Sequence, residues 1–267
     1  MFYPKISTEL AILYREVDGK ELRLDAHIPQ GDGPFPTLLL YHGGGYRAGD
    51  RSAVTDRCIF YASQGFGCFT ASYRLAPDDK FPAQIHDAKA AIRWIRDHAS
   101  RFNIDPDRLG IMGFSAGGHL AALAGVTNEN DGLEGPDAPY SISTSVQAVV
   151  SYFAPMDMRE VAKHTHEELP AILHDSFGGG PDECPEAYRQ ASPIAYVAPD
   201  VPPFLFVHGT EDPLVPFGQS VMMAEKLRKA GVFAEVIGIE GGGHGALPWE
   251  GDIRPKVLAF LREHLGG

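Results

Sequence analysis

Gly113-Phe114-Ser115-Ala116-Gly117 is the stretch of this 267-residue sequence that decides the fold. It follows an apolar run at 109–112, which predicts a strand, and precedes a run of small residues at 118–124, which predicts a helix. The glycines on either side of the serine allow a sharp turn between the two elements. The pattern predicts that Ser115 stands clear of the backbone at the end of a strand, beside a helix N-terminus that favours negative charge.

Strands and helices alternate on both sides of this turn. Residues 9–16 and 20–28 alternate apolar and polar side chains around Asp18-Gly19, which predicts an antiparallel hairpin. Further along, apolar runs and helical spacings predict strands at 37–41, 66–73, 108–113, 146–153, 203–207 and 232–239 and helices at 52–64, 82–98, 217–230 and 251–264. We expect one α/β domain over residues 1–267, with a mostly parallel central sheet and helices on both faces.

One segment does not fit this alternation. Residues 155–200 have no clear period and are rich in proline, glycine and histidine. Such a length exceeds that of a plain connection in a compact domain. We expect this loop-rich insertion to contain short helices and to line a functional cleft.

Four unusual loops follow predicted strands, and each carries one polar residue of interest. These residues are His42, Ser115, Asp212 and His244. In open α/β sheets, ligands bind beyond the carboxyl ends of the strands. We therefore expect the four loops to meet in one site.

Ser115, Asp212 and His244 have the chemistry of a nucleophile, an acid and a base. A serine hydroxyl needs a base within hydrogen-bond reach, and the base needs an acid that fixes its tautomer. The order serine, aspartate, histidine, with the last two after the final strands, is that of the α/β-hydrolase fold. Asp157 is the alternative acid, whereas Glu211 is expected to point away from the base.

The run His42-Gly43-Gly44-Gly45 predicts an oxyanion hole. Backbone N–H groups must converge on the oxygen that becomes negative, and side chains would block their approach. Gly44 and Gly45, together with the N–H of Ala116, are the expected donors. A loop that binds another anion, or is merely flexible, is the alternative, but it does not explain why the serine turn occurs in the same chain.

The remaining histidines near this constellation have simpler interpretations. His119 lies one helical turn after the serine and is expected either to serve in packing or to support the residues of the site from behind. His208 is expected to hydrogen-bond backbone in the turn after its strand. His164, His166 and His174 lie in the insertion, where they are expected to be solvated or to touch substrate, because their spacing does not make a metal site.

Composition excludes several classes of function. The formal net charge of −12 argues against nucleic acid or an anionic membrane as a partner. No apolar run approaches the ~20 residues of a membrane span, and the start of the chain lacks a signal-peptide pattern, so a cytoplasmic location is expected. Composition does not decide between a monomer and a homo-oligomer.

The cysteines predict neither a disulfide framework nor a metal site. Cys58, Cys68 and Cys184 are scattered and lack the spacing of zinc ligands. The chemistry inferred above needs no metal and no organic cofactor.

Five motifs together resemble the α/β-hydrolase superfamily, and within it the carboxylesterases with an HGGG loop. They are Y-H-G-G-G-Y at 41–46, S-Y-R-L-A-P at 72–77, D-R-L-G-I-M-G-F-S-A-G-G-H-L-A at 107–121, H-G-T-E-D-P-L-V-P at 208–216 and G-G-H-G at 242–245. The hormone-sensitive-lipase-like and bacterial acetyl xylan/feruloyl esterase-like groups are the most similar. The resemblance implies a triad of Ser115, Asp212 and His244 with the oxyanion hole described above.

The resemblance also implies a substrate class. Hormone-sensitive-lipase-like enzymes carry an N-terminal helical cap, whereas this sequence begins almost directly with the hairpin. We therefore expect an open site for a small-molecule or oligosaccharide ester with a short acyl group. Alternatives are an arylformamidase, a small serine peptidase and a catalytically silent binding module. The residues expected to line the substrate site are Tyr46, Tyr73, Phe153, Pro155 and Tyr196.

Overall fold

The computed structural model of the chain describes residues 5–136, 138, 141–245 and 250–266. Its strands are β1 Ile6–Val17, β2 Lys20–Pro29, β3 Phe35–Tyr41, β4 Gly67–Ala71, β5 Ile104–Phe114, β6 Ala148–Tyr152, β7 Phe204–Gly209 and β8 Ala234–Ile239. Its α-helices are α1 Thr55–Ser63, α2 Ala83–Asp97, α3 Ala116–Val126, α4 Met158–Val161, α5 Leu169–Phe177, α6 Pro185–Gln190, α7 Gly218–Lys229 and α8 Glu250–Leu265. Short 3-10 turns lie at Arg51–Val54, Ala99–Phe102, Glu129–Asp131 and Pro193–Tyr196.

The strands form one eight-stranded sheet in the order β1-β2-β4-β3-β5-β6-β7-β8. The β1–β2 and β2–β4 pairs are antiparallel. The other neighbouring pairs of the sheet, β4–β3, β3–β5, β5–β6, β6–β7 and β7–β8, are parallel. This confirms the predicted mostly parallel sheet with an antiparallel hairpin at its start. Parallel neighbours place the carboxyl ends of β3, β5, β7 and β8 at the same edge, which is the precondition for a shared site.

Both faces of the sheet are covered by helices. On β3, Leu39 and Tyr41 join a core under α2, α3 and α7, whereas Leu38 and Leu40 join a second core under α1 and α8. The alternation follows from the period of two in a strand. Continuous apolar runs such as 37–41 are therefore the sign of strands buried on both faces, as expected.

The start of β5 differs from the expectation. The sequence predicts a strand only from residue 108, but β5 already begins at Ile104. Phe35 pairs with Ile104 and Thr37 with Leu109, so the intervening residues bulge out of the ladder. Pro106 has no N–H for a ladder bond, and a bulge accommodates it.

The insertion at 155–200 folds into α4, α5, α6 and a 3-10 turn, which confirms the expected short helices. It has a hydrophobic cluster of its own, formed by Met158, Val161, Leu169, Leu173, Phe177, Tyr188 and Ala191. Leu214, from the loop after β7, packs against this cluster. The insertion is thereby attached to the carboxyl edge of the sheet. Among the helices of the described ranges, none is long and apolar enough to span a lipid bilayer.

Candidate active site

Ser115 occupies a strained turn between β5 and α3. Its φ of 53° and ψ of −118° lie in a region that costs a non-glycine residue about 1–3 kcal/mol. The flanking glycines make the turn possible: a Cβ at Gly113 would lie 2.1 Å from the Gly117 carbonyl oxygen, and one at Gly117 would lie 2.3 Å from the His42 carbonyl oxygen. The Ser115 N–H donates to the Tyr152 carbonyl at 2.9 Å, which holds the turn against β6.

Ser115, His244 and Asp212 form one hydrogen-bonded chain. The Ser115 Oγ lies 2.9 Å from His244 Nε2, and His244 Nδ1 lies 2.7 Å from Asp212 Oδ2. A carboxylate only accepts hydrogen bonds, so Nδ1 carries the proton and Nε2 is free to accept from the serine hydroxyl. This arrangement is the one in which an imidazole acts as a general base.

Asp212 is buried, and both of its carboxylate oxygens accept hydrogen bonds. Its Oδ1 accepts from the N–H groups of Leu214 at 2.9 Å and Val215 at 2.8 Å. Burial raises the pKa of Asp212, but hydrogen bonds from His208, His244 and the Val215 N–H outweigh burial and hold the pKa well below its usual range. Asp212 is therefore ionised near neutral pH.

The two alternative acids are accounted for elsewhere. Asp157 caps α4, where its carboxylate accepts from the N–H groups of Arg159 at 3.0 Å and Glu160 at 3.2 Å. Glu211 is exposed, as expected for a side chain that points away from the base.

The glycine loop after β3 packs directly against the serine turn. A Cβ at Gly43 would lie 3.3 Å from Ser115 Cβ. Gly44 has a φ of +118°, and a Cβ added there would lie 2.0 Å from the Ala48 carbonyl oxygen. Among the described residues, none accepts a hydrogen bond from the N–H groups of Gly44, Gly45 and Ala116. These N–H groups are therefore available to an oxygen of a bound molecule.

His42 orients this loop. Its Nδ1 lies 2.7 Å from the Gly43 carbonyl oxygen and donates to it. Because a peptide unit is planar and trans, fixing that carbonyl also fixes the direction of the Gly44 N–H. Tyr73 supports the histidine from below: the rings stack at 4.4 Å, and the Tyr73 hydroxyl donates to the His42 carbonyl at 2.8 Å.

A cavity of about 430 Å³ opens beside the serine. It is lined by Gly43, Gly44, Gly45, Tyr46, Arg47, Phe114, Ser115, Ala116, Phe153, Pro155, Met158, Val161, Glu168, Leu169, Ile172, Leu173, Leu214, Val215 and His244. Three of the expected lining residues, Tyr46, Phe153 and Pro155, are among them. Phe153 also contacts the base, with its ring 4.9 Å from that of His244 in an edge arrangement.

The prediction that Tyr73 and Tyr196 line the substrate site is wrong. Tyr73 is buried beneath the glycine loop, where its stacking on His42 keeps it from the cavity. The Tyr196 hydroxyl donates to the Gln190 carbonyl at 3.1 Å, and its ring packs against the core, away from the cavity. An aromatic residue near a strand end can support a loop instead of facing a ligand, and the sequence pattern does not separate the two cases.

The insertion lines the cavity, as expected, but the sequence did not identify which of its residues beyond Pro155 do so. Leu169, Ile172 and Leu173 of α5 line the cavity, and an added Cβ at Gly45 would lie 3.4 Å from Ile172 Cδ1. The spacing of these three residues is that of one helical face and is the signal that could have identified them. Since α5 lies against the glycine loop, the site is less open than the sequence led us to expect.

The other histidines lie outside the cavity lining. His119 is buried, and its Nε2 donates to the Ala191 carbonyl at 2.5 Å, which confirms a packing role. His164 Nε2 donates to the Pro213 carbonyl at 2.7 Å, His166 Nδ1 accepts from the Glu168 N–H at 3.3 Å, and His174 is exposed.

A family model and curated proteins match most of the chain. A model of the BD-FAE family matches residues 24–227. Esterase LipC of Mycobacterium tuberculosis is 36% identical in an alignment 220 residues long, which covers 79% of this chain and 53% of that protein. The chain spans about half the length of the curated relatives that it matches in that organism.

Solved structures resemble nearly the whole chain. A truncated carbohydrate esterase from gut microbiota has a TM-score of 0.87 at 31% identity, covering 98% of this chain and 97% of that one. The propionate-bound esterase Est2 of the planctomycete Thermogutta terrifontis has a TM-score of 0.78 at 26% identity, covering 97% and 92%. These likenesses confirm the α/β-hydrolase fold.

Proposed function

Because the chain belongs to the BD-FAE family, we propose that it is a carboxylic ester hydrolase in which Ser115 is the nucleophile, His244 the base and Asp212 the acid. The observation that carries the proposal is the hydrogen-bonded chain of these three residues, with 2.9 Å from serine to histidine and 2.7 Å from histidine to aspartate. The names of the similar proteins, esterases from several sources, support the same reaction class.

In the proposed reaction, His244 Nε2 takes the proton of Ser115 as the serine oxygen attacks the ester carbonyl. The N–H groups of Gly44, Gly45 and Ala116 stabilise the negative oxygen of the tetrahedral intermediate. Asp212 stabilises the imidazolium and keeps its orientation. The imidazolium returns the proton to the leaving alcohol, and the acyl group remains on the serine.

Water then completes the cycle. His244 accepts a proton from the water as its oxygen attacks the acyl-enzyme, and the same N–H groups hold the second oxyanion. Collapse of that intermediate releases the carboxylic acid and restores the serine hydroxyl. Every proton transfer passes through Nε2, so the proposed reaction needs no cofactor.

We further propose that the substrates are short-chain acyl esters, including acetylated or feruloylated sugars of plant polysaccharides. The similar carbohydrate esterase from gut microbiota supports a sugar alcohol. The cavity supports the acyl side, because the α5 residues Leu169, Ile172 and Leu173 present an apolar surface beside the glycine loop. Acetyl xylan esterase activity is the most specific form of this proposal.

The test begins with Ser115→Ala. This change is expected to abolish hydrolysis of p-nitrophenyl acetate while leaving circular dichroism and Tm close to those of the wild type. Ser100→Ala, at an exposed position, is the matched control and is expected to retain full activity. Turnover by the Ser115 variant at the wild-type rate would contradict the proposed nucleophile.

A substrate panel tests the finer proposal. It contains p-nitrophenyl esters from acetate to decanoate, acetylated xylo-oligosaccharides, methyl ferulate and N-formylkynurenine. Preference for acetylated xylo-oligosaccharides or methyl ferulate supports the sugar-ester proposal, whereas preference for N-formylkynurenine indicates an arylformamidase. Failure of a fluorophosphonate probe to label Ser115 in the wild type indicates a binding module instead of an enzyme.

A further inference from the structure

His208 is a completely buried imidazole with two hydrogen bonds and a close contact to Asp212, and the reaction proposed above does not use it. It lies in β7, four residues before Asp212, and is absent from the cavity lining. Its Nε2 lies 2.9 Å from the Val215 carbonyl oxygen and 3.2 Å from Asp212 Oδ2. Its Nδ1 lies 2.8 Å from Ser220 Oγ.

These partners define the protonation of His208. A backbone carbonyl and a carboxylate only accept hydrogen bonds, so Nε2, which contacts both, carries a hydrogen and donates it to the Val215 carbonyl. Ser220 presents a hydroxyl, which is able to donate to Nδ1. The neutral imidazole with its hydrogen on Nε2 satisfies all three contacts.

The same carboxylate oxygen receives two imidazoles. Asp212 Oδ2 accepts from His244 at 2.7 Å and lies 3.2 Å from His208 Nε2, whereas Oδ1 accepts from two backbone N–H groups of the following turn. Rotation of the carboxylate about its Cβ–Cγ bond breaks contacts on both sides. Without His208, only the bond to His244 remains on Oδ2, and the carbonyl of Val215 loses its donor.

We propose that His208 is a positioning residue, which holds Oδ2 of Asp212 in the direction from which it accepts the Nδ1 hydrogen of His244. This inference rests on the proposed triad. His208 acts through Asp212 and touches neither the serine nor the cavity. It therefore affects the rate of the chemical step and leaves substrate binding unchanged.

The electrostatics of Asp212 agree with this role. Among the contacts that lower the pKa of Asp212 against the effect of burial, the hydrogen bond from His208 is the largest, ahead of that from His244. A donor of this kind keeps the carboxylate ionised and leaves its charge available to the imidazolium.

Two amide replacements separate the two ends of the imidazole. The amide nitrogen of glutamine reaches the position of Nε2, and that of asparagine reaches the position of Nδ1. His208→Gln therefore keeps a donor for Asp212 and Val215, whereas His208→Asn keeps only the contact to Ser220. His27→Asn is the matched control, because His27 is also buried and contacts Thr8 Oγ1 at 3.0 Å in the first hairpin.

The first readout is steady-state hydrolysis of p-nitrophenyl acetate. Removing a residue that orients a functional group typically costs about 10- to 100-fold. We expect His208→Asn to lower kcat by about ten-fold or more with KM within about two-fold, and His208→Gln to restore most of the loss. Equal kcat in the His208→Asn and His27→Asn variants would overturn the inference.

The second readout does not depend on activity. In protein with isotope-labelled histidine, the proton resonance of His244 Nδ1–H reports its hydrogen bond to Asp212. We expect this resonance to shift or broaden in His208→Asn and to stay in place in His208→Gln. An unchanged resonance in both variants overturns the role of His208, even if the wild type proves inactive and the proposed function fails.

If His208→Asn does not fold, the His208→Gln variant alone tests the positioning role of His208. Retained kcat and an unchanged Nδ1–H resonance in this variant support the inference, because the donor to Asp212 is the feature that it keeps. A kcat at least ten-fold below that of the wild type, in a protein with native circular dichroism, overturns it.

Discussion

The two walls of the cavity are built in different ways. The polar wall carries Ser115 and His244, with Asp212 buried behind the histidine, on turns that follow strands β5, β8 and β7. The apolar wall comes from α4 and α5, which pack in a small cluster of their own. Reacting groups are thus held by the rigid sheet, whereas the surface beside the substrate belongs to an insertion that can differ without disturbing the sheet.

Polar contacts also join the insertion to the rest of the domain. Arg47, next to the glycine loop, pairs with Asp175 of α5 at 3.1 Å, and both side chains are about one-third exposed. His119, one turn after Ser115, donates to the Ala191 carbonyl at the end of α6. If the two walls have these separate roles, substitutions in the polar wall abolish hydrolysis and substitutions in the apolar wall alter substrate selectivity. Substitutions at the contacts between the insertion and the rest of the domain alter stability.

The largest effect in the polar wall, after loss of the serine itself, is expected for Asp212→Asn. An amide donates where the carboxylate accepts, so His244 is held in the wrong tautomer and kcat falls about 10⁴-fold. Hydrolysis of p-nitrophenyl acetate measures this, with the exposed Asp200→Asn as the control. A decrease of less than ten-fold is incompatible with Asp212 as the acid.

Gly44→Ala is expected to lower kcat by about 10²–10³-fold, because the loss of one oxyanion-hole donor lowers kcat by this amount in other enzymes. The new Cβ would lie 2.0 Å from the Ala48 carbonyl oxygen, so the loop must shift and carry its N–H groups with it. Gly218→Ala provides the control, because an added Cβ there meets no atom within 4 Å. Equal kcat for the two variants would show that the glycine loop is not the oxyanion hole.

Ile172→Ala tests the apolar wall. We expect the ratio of kcat/KM for p-nitrophenyl butyrate to that for acetate to fall by about ten-fold, because a contact of one or two methylenes with a hydrophobic pocket contributes about 1–3 kcal/mol. Activity on acetate is expected to change much less. Ile59→Ala, at a position 42% exposed on α1, controls for loss of an isoleucine. An unchanged ratio means that α5 does not contact the acyl chain.

The smallest effect on turnover is expected for a change of His119, which contacts the Ala191 carbonyl. Such a change is expected to alter stability at low pH instead. Burial lowers the pKa of His119 to about 4, from 6.5 for the unperturbed side chain, although the bond to Ala191 opposes this. Below pH 6.5 the unfolded state therefore binds a proton that the folded state does not, and the free energy of unfolding decreases as pH falls towards 4.

His119→Gln keeps a donor for Ala191 and removes this titration. We expect its free energy of unfolding to fall less steeply than that of the wild type between pH 6.5 and 4, with a difference on the order of 1–3 kcal/mol. Urea unfolding at several pH values measures both slopes. Parallel curves for the two proteins would show that the pKa of His119 is the same in the folded and unfolded states.

The polar wall could be predicted from the sequence because its residues sit next to strong local signals. Gly113 and Gly117 are required by close backbone approaches, and Ser115 lies between them. Asp212 and His244 each follow a strand, and parallel strands bring their carboxyl ends to one edge. Their predicted proximity thus followed from chain order and sheet topology.

The apolar wall and the supporting contacts could not be predicted in the same way. Tyr46 and Tyr73 both follow strands of the central sheet, yet one lines the cavity and the other stacks on His42. Which role an aromatic ring takes depends on the space left by neighbouring elements, and this is a property of packing.

The sequence by itself therefore determined the α/β fold and the order of the groups that we propose as nucleophile, acid and base. Periodicity, glycine geometry and strand ends are local properties, and each is written in a few consecutive residues. The tertiary structure alone decided that α5 closes one side of the cavity and that His208 shares an oxygen of Asp212 with His244. Both depend on distances between segments far apart in the chain, which only the packing of the whole fold establishes.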